Sequence, residues 1–230
     1  MPVSDLSPHA ALIWGVIIRL GSAGLILPLL AIVATGLWTS NQKAAVRIWL
    51  LALALAVVVT MTTKVLFLGW GLGISFLDFT GISGHTLLAS SVLPVFFNWL
   101  LATDQRRYSS PGMALGFLAS MAVGASRIVL GAHSSSEVVI AGVFGVAVSV
   151  LALDALEGPV ERPGFARLTP LVLFLALGTT TANYLPTHDW ELKLSTVLSG
   201  RDKPYTRCHL KEQASIGQGF SRYPSCPGTR

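Results

Sequence analysis

Long apolar runs constrain this chain more than any other feature of its sequence. A helix needs about 20 consecutive apolar residues to cross a bilayer. Six segments approach or meet that length, at 11–38 (with a core at 20–38), 46–63, 86–102, 112–130, 137–155 and 166–184. Only 12% of the 230 residues are charged, about half of the ~25% that is typical of soluble domains. The sequence therefore predicts an all-α fold, a six-transmembrane-helix bundle with a polar, partly disordered C-terminal tail.

The polarity of the chain changes near residue 185. Residues 1–184 contain all six apolar segments and form one predicted transmembrane domain. Residues 185–230 are polar, rich in Gly, Pro and Ser, and show no strong period, which is typical of partial disorder. Both cysteines, Cys208 and Cys226, lie in this tail. Their spacing leaves a disulfide and two free thiols equally open.

Basic residues cluster in three of the predicted loops, near 43–47, 106–107 and 162–167. With six spans these loops share one side, which the positive-inside rule makes cytoplasmic. The segment 64–85, the turn 131–136 and the tail then face outward, although basic residues near the start of the tail argue against its placement. The short loops favour a bacterial inner membrane protein whose site faces the periplasm. No basic stripe interleaved with aromatics accompanies the net charge of +5, so nucleic acid is not an expected partner.

Two polar clusters occur at the outer ends of the predicted spans. "GISGH", residues 81–85, opens the third span, and "SRIVLGAHSSSE", residues 126–137, connects the fourth span to the fifth. Charged residues at the edge of a membrane are costly and usually have a function. Helix capping and interfacial anchoring are the alternatives to a site.

His133 and Glu137 are four residues apart, so on a helix they share a face. The carboxylate can then accept the imidazole N–H, select the tautomer, and leave the other ring nitrogen as a nucleophile. Ser134-x-x-Glu137 equally matches a helix capping box. Both interpretations hold if the cap also positions His133.

Other polar residues of the clusters suit a bound phosphate. Arg127 offers a forked cation, or it snorkels to the interface. His85 stands at a predicted helix N-terminus, where anions bind, with Ser83 and Gly84 just before it. Lys64 follows the second span, where an interfacial anchor is the ordinary interpretation.

The segment after the second span is apolar and aromatic, "VLFLGWGLGISFLDFTG". This composition is typical of a surface lid or a lipid entrance. Asp78 within it is interpreted as a solvated loop charge.

In this order the clusters resemble the type 2 phosphatidic acid phosphatase and vanadium haloperoxidase superfamily. Its motifs are a lysine with Arg-Pro seven residues on, then Pro-Ser-Gly-His, then Ser-Arg-x5-His-x3-Asp. The third motif is nearly complete as Ser126-Arg127-x5-His133-x3-Glu137, and the second is present as Ile82-Ser83-Gly84-His85. The resemblance covers about residues 64–150 and includes the spacing of the spans.

The resemblance implies a membrane lipid phosphatase that cleaves a lipid phosphomonoester or pyrophosphate through a phosphohistidine. His133 would be the nucleophile, Glu137 would orient it, and His85 would be the general acid. The phosphoryl oxygens would be held by Lys64, Ser83, the Gly84 amide and Arg127. No metal and no cofactor are implied, and the expected partners are the lipid phosphate substrate and membrane lipids.

Three departures from the family pattern suggest a second hypothesis. Glu137 replaces aspartate, Ile82 replaces proline, and Gly71-Leu72 stand where the family has Arg-Pro. Loss of one phosphate-holding donor typically costs about 10²–10³ in rate. The alternative is therefore a catalytically weak or inactive family member that binds anionic lipid or a membrane partner. A small transporter is disfavoured, since the sequence shows no inverted repeat.

Overall fold

The computed structural model describes residues 7–101, 110–158 and 187–216. The helices in these ranges are α1 (Pro8–Arg19), α2 (Ala23–Thr39), α3 (Lys43–Trp70), α4 (Gly84–Leu101), α5 (Ser110–Val129), α6 (Ser135–Asp154), α7 (Thr187–Ser199) and α8 (Arg207–Ile216). A single 3₁₀ turn, Ser75–Leu77, lies between α3 and α4. The all-α prediction is confirmed for this part of the chain.

Four of the described helices are long and apolar enough to cross a membrane: α3, α4, α6, and α5 from Pro111 onward. A fifth span results if α1 and α2 are taken together, with a bend of 41° between Leu12–Arg19 and Ala23–Thr39. The break follows Arg19, the residue that interrupts the first apolar run in the sequence. The predicted sixth span, 166–184, lies outside the described residues. The chain is thus a membrane protein with four to five spans in its described part.

Helix α4 is the centre of the bundle and packs against α2, α5 and α6. Its side chains Leu87, Val92 and Phe96 are almost fully buried. The Trp49 indole of α3 donates a buried hydrogen bond of 2.9 Å to the Ser91 carbonyl oxygen of α4. The outer faces of the other spans carry exposed large apolar residues, such as Leu51, Leu55 and Val58 on α3 and Val139 and Val143 on α6. Apolar side chains both inside the bundle and on its outer faces fit a bundle that is surrounded by lipid.

Glycines allow α5 to lie directly against the backbone of α4. A Cβ on Gly112 would approach the Phe97 carbonyl oxygen to 2.4 Å, and one on Gly116 would approach the Pro94 Cα to 2.4 Å. Gly145 of α6 is equally closely packed, whereas a Cβ on Gly142 would meet nothing within 4 Å. Of these four glycines, Gly112, Gly116 and Gly145 therefore serve close helix packing, and Gly142 does not.

Helix α3 continues beyond the end of the predicted second span. The predicted span stops at residue 63, but the helix runs to Trp70 and ends where Gly71 adopts the left-handed conformation with φ +72°. Residues 65–70 contain no proline and their only glycine is Gly69, so nothing stops the helix before Gly71. Lys64 consequently lies within the last two turns of α3 and not in a loop after it.

The C-terminal segment forms helices within 187–216, where the sequence suggested partial disorder. Helix α7 packs along α3 with Glu191 and Ser195 buried at the contact. The inward face of α7 is thus polar, which explains why no apolar period predicted it. Residues 217–230 lie outside the described part. Cys208 in α8 is disulfide-bonded, and the only other cysteine of the chain is Cys226.

The two predicted polar clusters meet at one end of the bundle. The C-terminal ends of α3 and α5, the N-terminal ends of α2 and α4, and the turn before α6 all contribute to a cavity there. At the opposite end, the Gln42 side chain exchanges two hydrogen bonds with the Glu157 backbone, 2.7 and 2.8 Å long. We call the end with the cavity the site end, and the end with the Gln42–Glu157 contact the opposite end.

Candidate active site

A cavity of about 670 Å³ occupies the site end of the bundle. Five of the seven residues predicted for the site line it: Lys64, Gly84, His85, Arg127 and His133. The other two, Ser83 and Glu137, are fully buried behind the cavity wall. The structure thus brings the predicted residues to one place from α3, α4, α5 and α6.

His133 and Glu137 are in contact, and the capping box is present as well. The His133 Nδ1 lies 2.7 Å from the Glu137 Oε2. The Ser134 hydroxyl accepts from the Glu137 N–H, and the Glu137 carboxylate accepts from the Ser134 N–H. Both interpretations of this sequence therefore hold together. With Nδ1 bound to the carboxylate, Nε2 is the ring nitrogen that can act on a ligand.

The surroundings of His133 favour its neutral form. Burial is the largest influence on the pKa of the imidazole and lowers it, whereas the hydrogen bond and the charge of Glu137 raise it; the net shift is downward. The positive charges of Arg127 and Lys64 lower this pKa further. A neutral imidazole has a lone pair on Nε2, as a nucleophile requires.

Glu137 is a fully buried carboxylate with hydrogen bonds to both oxygens. Oε1 accepts from the Thr80 N–H and hydroxyl, each at 2.6 Å. Oε2 accepts from the Ser134 N–H at 3.1 Å. The Arg207 Nη2 lies 3.0 Å from Oε1 and 2.9 Å from Oε2. A buried charge needs such partners to offset its lost hydration, and they also hold the carboxylate in one orientation.

The turn before α4 presents His85 to the cavity and turns Ser83 away from it. The Ser83 hydroxyl lies 3.0 Å from the Thr86 hydroxyl, and the Ser83 N–H donates to the Glu137 carbonyl oxygen at 3.4 Å. The Ile82 N–H donates to the Thr63 hydroxyl at 3.2 Å. A proline at 82 would lack this donor, so isoleucine anchors the turn to α3. Phosphate binding by Ser83 stays a prediction.

Arg127 supplies a cation whose binding capacity is not used up within the described structure. It lies at the end of α5 and lines the cavity. Its Nε is buried without a hydrogen-bond partner among the described residues. An unpaired buried N–H is costly, and an anion in the cavity would satisfy it.

Lys64 lies beside the start of α4 and forms an ion pair with a residue that the sequence did not predict. A Cβ on Gly84 would stand 3.8 Å from the Lys64 Nζ, and one on Gly81 would come within 2.7 Å of the Lys64 Cγ. The Nζ donates to the Glu191 Oε1 of α7 at 2.7 Å. Glu191 is largely buried and lines the same cavity.

Arg207, at the start of α8, is the second residue that sequence reasoning missed. Besides Glu137, its guanidinium contacts the Asp78 carbonyl oxygen at 2.7 Å and the Asp78 carboxylate at 2.8 Å. Asp78 is therefore an ion-pair partner, and its interpretation as a solvated loop charge is wrong. Burial opposes the charged form of Arg207, but Glu137 and Asp78 outweigh burial and raise its pKa. No local pattern in the polar tail distinguishes Arg207 from its neighbours.

Apolar side chains form much of the rest of the cavity wall. They come from α2, α3, α4 and α7 and include Leu27, Val57, Met61, Leu88 and Trp190. The cavity thus combines a cationic, histidine-bearing end with an apolar wall. Within the described ranges, no three His, Cys, Asp or Glu side chains are grouped so that they could hold a metal ion.

Two comparisons with known proteins each found a match to this chain. Residues 69–158 match the family model of the PAP2 superfamily. The chain is 34% identical over 177 residues to an uncharacterized 22.5 kDa protein in the cps region of Klebsiella pneumoniae, which covers 72% of this chain and 81% of that protein. No solved structure matches the chain significantly.

Proposed function

This chain belongs to the PAP2 superfamily, and we propose that it is an integral membrane lipid phosphatase that acts through a phosphohistidine. The family implies phosphatase-type hydrolysis in general. The observation that carries the specific proposal is the shared cavity, in which His133, bonded to Glu137, faces the same space as His85, Arg127 and Lys64.

The reaction proceeds in two displacements at phosphorus. The His133 Nε2 attacks, a P–N bond forms, and the bond between phosphorus and the lipid oxygen breaks. His85 donates a proton to the leaving oxygen, which departs as an alcohol or, from a pyrophosphate, as a lipid phosphate. Water then attacks phosphorus while the now neutral His85 takes up a proton from it, the P–N bond breaks, and inorganic phosphate leaves. Glu137 stabilises the positive charge that the His133 ring carries while it is phosphorylated.

Cationic groups hold the phosphoryl oxygens during both steps. Arg127 offers the unpaired Nε noted above. The N-terminal end of α4, which begins at Gly84, adds backbone N–H groups and a partial positive charge. Lys64 binds phosphate by exchanging or sharing its Glu191 partner. Charge neutralisation by these groups supports a reaction that needs no metal.

The apolar wall of the cavity supports a lipid as the substrate. Leu27, Val57 and Met61 extend from the cationic end along the spanning helices α2 and α3. An acyl or prenyl chain along this wall would place its phosphate against His133, whereas a small water-soluble phosphate would leave the wall exposed to water. Candidate substrates are therefore lipid phosphomonoesters and pyrophosphates.

We place the protein in a bacterial inner membrane with the cavity on the periplasmic side. The basic residues Lys43 and Arg47 lie at the start of α3, at the end opposite the cavity, where the positive-inside rule predicts the cytoplasm. The disulfide at Cys208 supports an oxidising compartment for α8.

Phosphate release from a panel of lipid phosphates and pyrophosphates tests the proposal with protein purified in detergent. His133→Ala should lower kcat to background because no nucleophile remains, and His85→Ala should lower it by about 10²–10⁴. His9→Ala is the matched control, since His9 is exposed on α1, and it should behave like the parent. EDTA should leave the rate unchanged.

The opposite results would distinguish the alternatives. No release from any substrate, together with retained binding of anionic lipid, would favour a non-catalytic family member. Release that survives in His133→Ala would exclude the phosphohistidine. A rate abolished by EDTA and restored by a divalent cation would exclude the metal-free reaction.

A further inference from the structure

The C-terminal helix α8 contributes a charged side chain to the machinery around His133. Arg207 lies outside residues 69–158, the part of the chain that matches the family model. We propose that Arg207 is a positioning residue, which holds the Glu137 carboxylate against the His133 Nδ1 and thereby sets the reactivity of His133. This inference rests on the proposed function, because it concerns the same histidine.

The first support is the geometry of the bridge between Arg207 and His133. Nη2 of Arg207 lies 2.9 Å from the Glu137 Oε2, and the His133 Nδ1 lies 2.7 Å from the same oxygen. The Glu137 side chain is fully buried, while the Arg207 side chain is 29% exposed. The guanidinium therefore reaches inward from the surface to a carboxylate that water does not reach. The Arg207 guanidinium thus supplies a positive charge in direct contact with the buried Glu137 carboxylate.

The second support is that Arg207 is itself held from two sides. Its Nη1 contacts the Asp78 carboxylate at 2.8 Å and the Asp78 carbonyl oxygen at 2.7 Å. Its Nη2 also donates to the Thr80 hydroxyl at 3.2 Å, and that hydroxyl in turn donates to Glu137. A planar guanidinium suits such a bridge because its N–H groups point in fixed directions.

The third support is the way the chain reaches this position. Two residues before Arg207, the Tyr205 N–H donates to the Leu68 carbonyl oxygen at 2.8 Å. The Tyr205 ring packs on Gly71, where an added Cβ would stand 3.1 Å from it. The end of α3 thus accepts the C-terminal segment at the position where the family pattern has Arg-Pro. Arg207 enters the site from this contact.

The chemical consequence concerns where the shared proton resides. A carboxylate bonded to a guanidinium is a weaker base, so the proton stays on the His133 Nδ1 and Nε2 keeps its lone pair. The charged groups that face His133 are Glu137, Arg127, Lys64 and His85. Arg207 acts on His133 through the first of these.

Variants at 207 test the inference in the lipid phosphatase assay. Arg207→Gln should lower kcat about tenfold to hundredfold, the range for removal of an outer hydrogen-bond partner in a site, with KM nearly unchanged. Arg207→Lys keeps the charge without the fork and should lie between Arg207→Gln and the parent. Lys211→Gln is the matched control, because Lys211 is an exposed cation on the same helix α8.

The pH profile distinguishes positioning from a merely structural role. Without the Arg207 guanidinium, the Glu137 carboxylate interacts more strongly with His133 and raises the pKa of His133. The acid limb of the kcat/KM profile of Arg207→Gln should therefore move to higher pH. A residue that only stabilises the fold would lower the active fraction and leave the limb in place. Asp78→Asn, which loosens Arg207 without removing it, should shift the limb in the same direction by less.

Two outcomes would overturn the inference. One is an Arg207→Gln variant with the kcat and the acid limb of the parent. The other is a loss of activity in Arg207→Lys and Asp78→Asn that matches the loss of folded protein in each variant, with no shift of the acid limb. If His133→Ala retained activity, the proposed function would fail, whereas a required His133 with an indifferent Arg207 would contradict this inference alone.

Discussion

At the scale of single residues, the substitution of glutamate for aspartate after the histidine has a structural consequence. The longer Glu137 side chain accepts the Ser134 N–H as a helix cap and still reaches the His133 Nδ1. Isoleucine for proline likewise adds an anchoring donor, the Ile82 N–H to Thr63. These two departures from the family pattern therefore preserve the site and do not argue for an inactive protein.

The protonation of His133 predicts the pH dependence of activity. Burial lowers its pKa below the ordinary value of about 6.5. In the proposed reaction the neutral form attacks phosphorus, so kcat/KM should rise with pH along an acid limb that lies below about pH 6.5. Steady-state rates between pH 4 and 8, measured at ~0.5-unit intervals, locate this limb. A limb above pH 6.5 in the parent enzyme would contradict the prediction.

At the scale of helices, the site depends on how closely α5 lies against α4. Arg127 is near the C-terminal end of α5, and His85 is in the first turn of α4. Gly112 and Gly116 let the two helices approach closely at the end of the pair that lies away from the cavity. The separation of α5 from α4 influences the distance between the Arg127 guanidinium and the His85 imidazole at the cavity.

Gly116→Leu should destabilise this contact, because the side chain would meet the Pro94 backbone. Overpacking typically costs about 1–3 kcal/mol, so the apparent Tm should fall by about 2–12 °C. Gly142→Leu on α6 is the matched control, since a Cβ there meets nothing within 4 Å. Thermal unfolding in detergent measures both. Equal Tm values for the two variants would mean that α5 does not pack on α4 in this way.

At the scale of the whole molecule, the polar ends of the bundle have distinct roles. The site end carries the cavity, the C-terminal helices α7 and α8, and the 3₁₀ turn. The opposite end carries Lys43 and Arg47, both near the Trp38 ring. This separation of charge and site gives the proposed orientation a direct test.

Single cysteines at the two ends should differ in accessibility to a membrane-impermeant maleimide. Ser75→Cys at the site end should be labelled in intact cells, because the proposed orientation places the site end on the periplasmic side. Glu157→Cys at the opposite end should be labelled only after the membrane is permeabilised; both positions are exposed. Cys208 is disulfide-bonded and should not react. The reverse pattern would place the site in the cytoplasm.

The sequence by itself determined the features that depend on residues close together along the chain, whereas the tertiary structure decided the contacts between residues far apart in sequence. Span length, the Ser134–Glu137 cap and the spacing of His133 from Arg127 are local properties. From them and from the family resemblance, the sequence by itself predicted the long apolar helices and five of the residues that line the cavity. Only the tertiary structure decided that Glu191 and Arg207 enter the site. Their importance comes from burial against α3 and Glu137, more than 60 residues away along the chain. A single charged residue in a polar segment belongs to no local sequence pattern from which such a contact could be predicted.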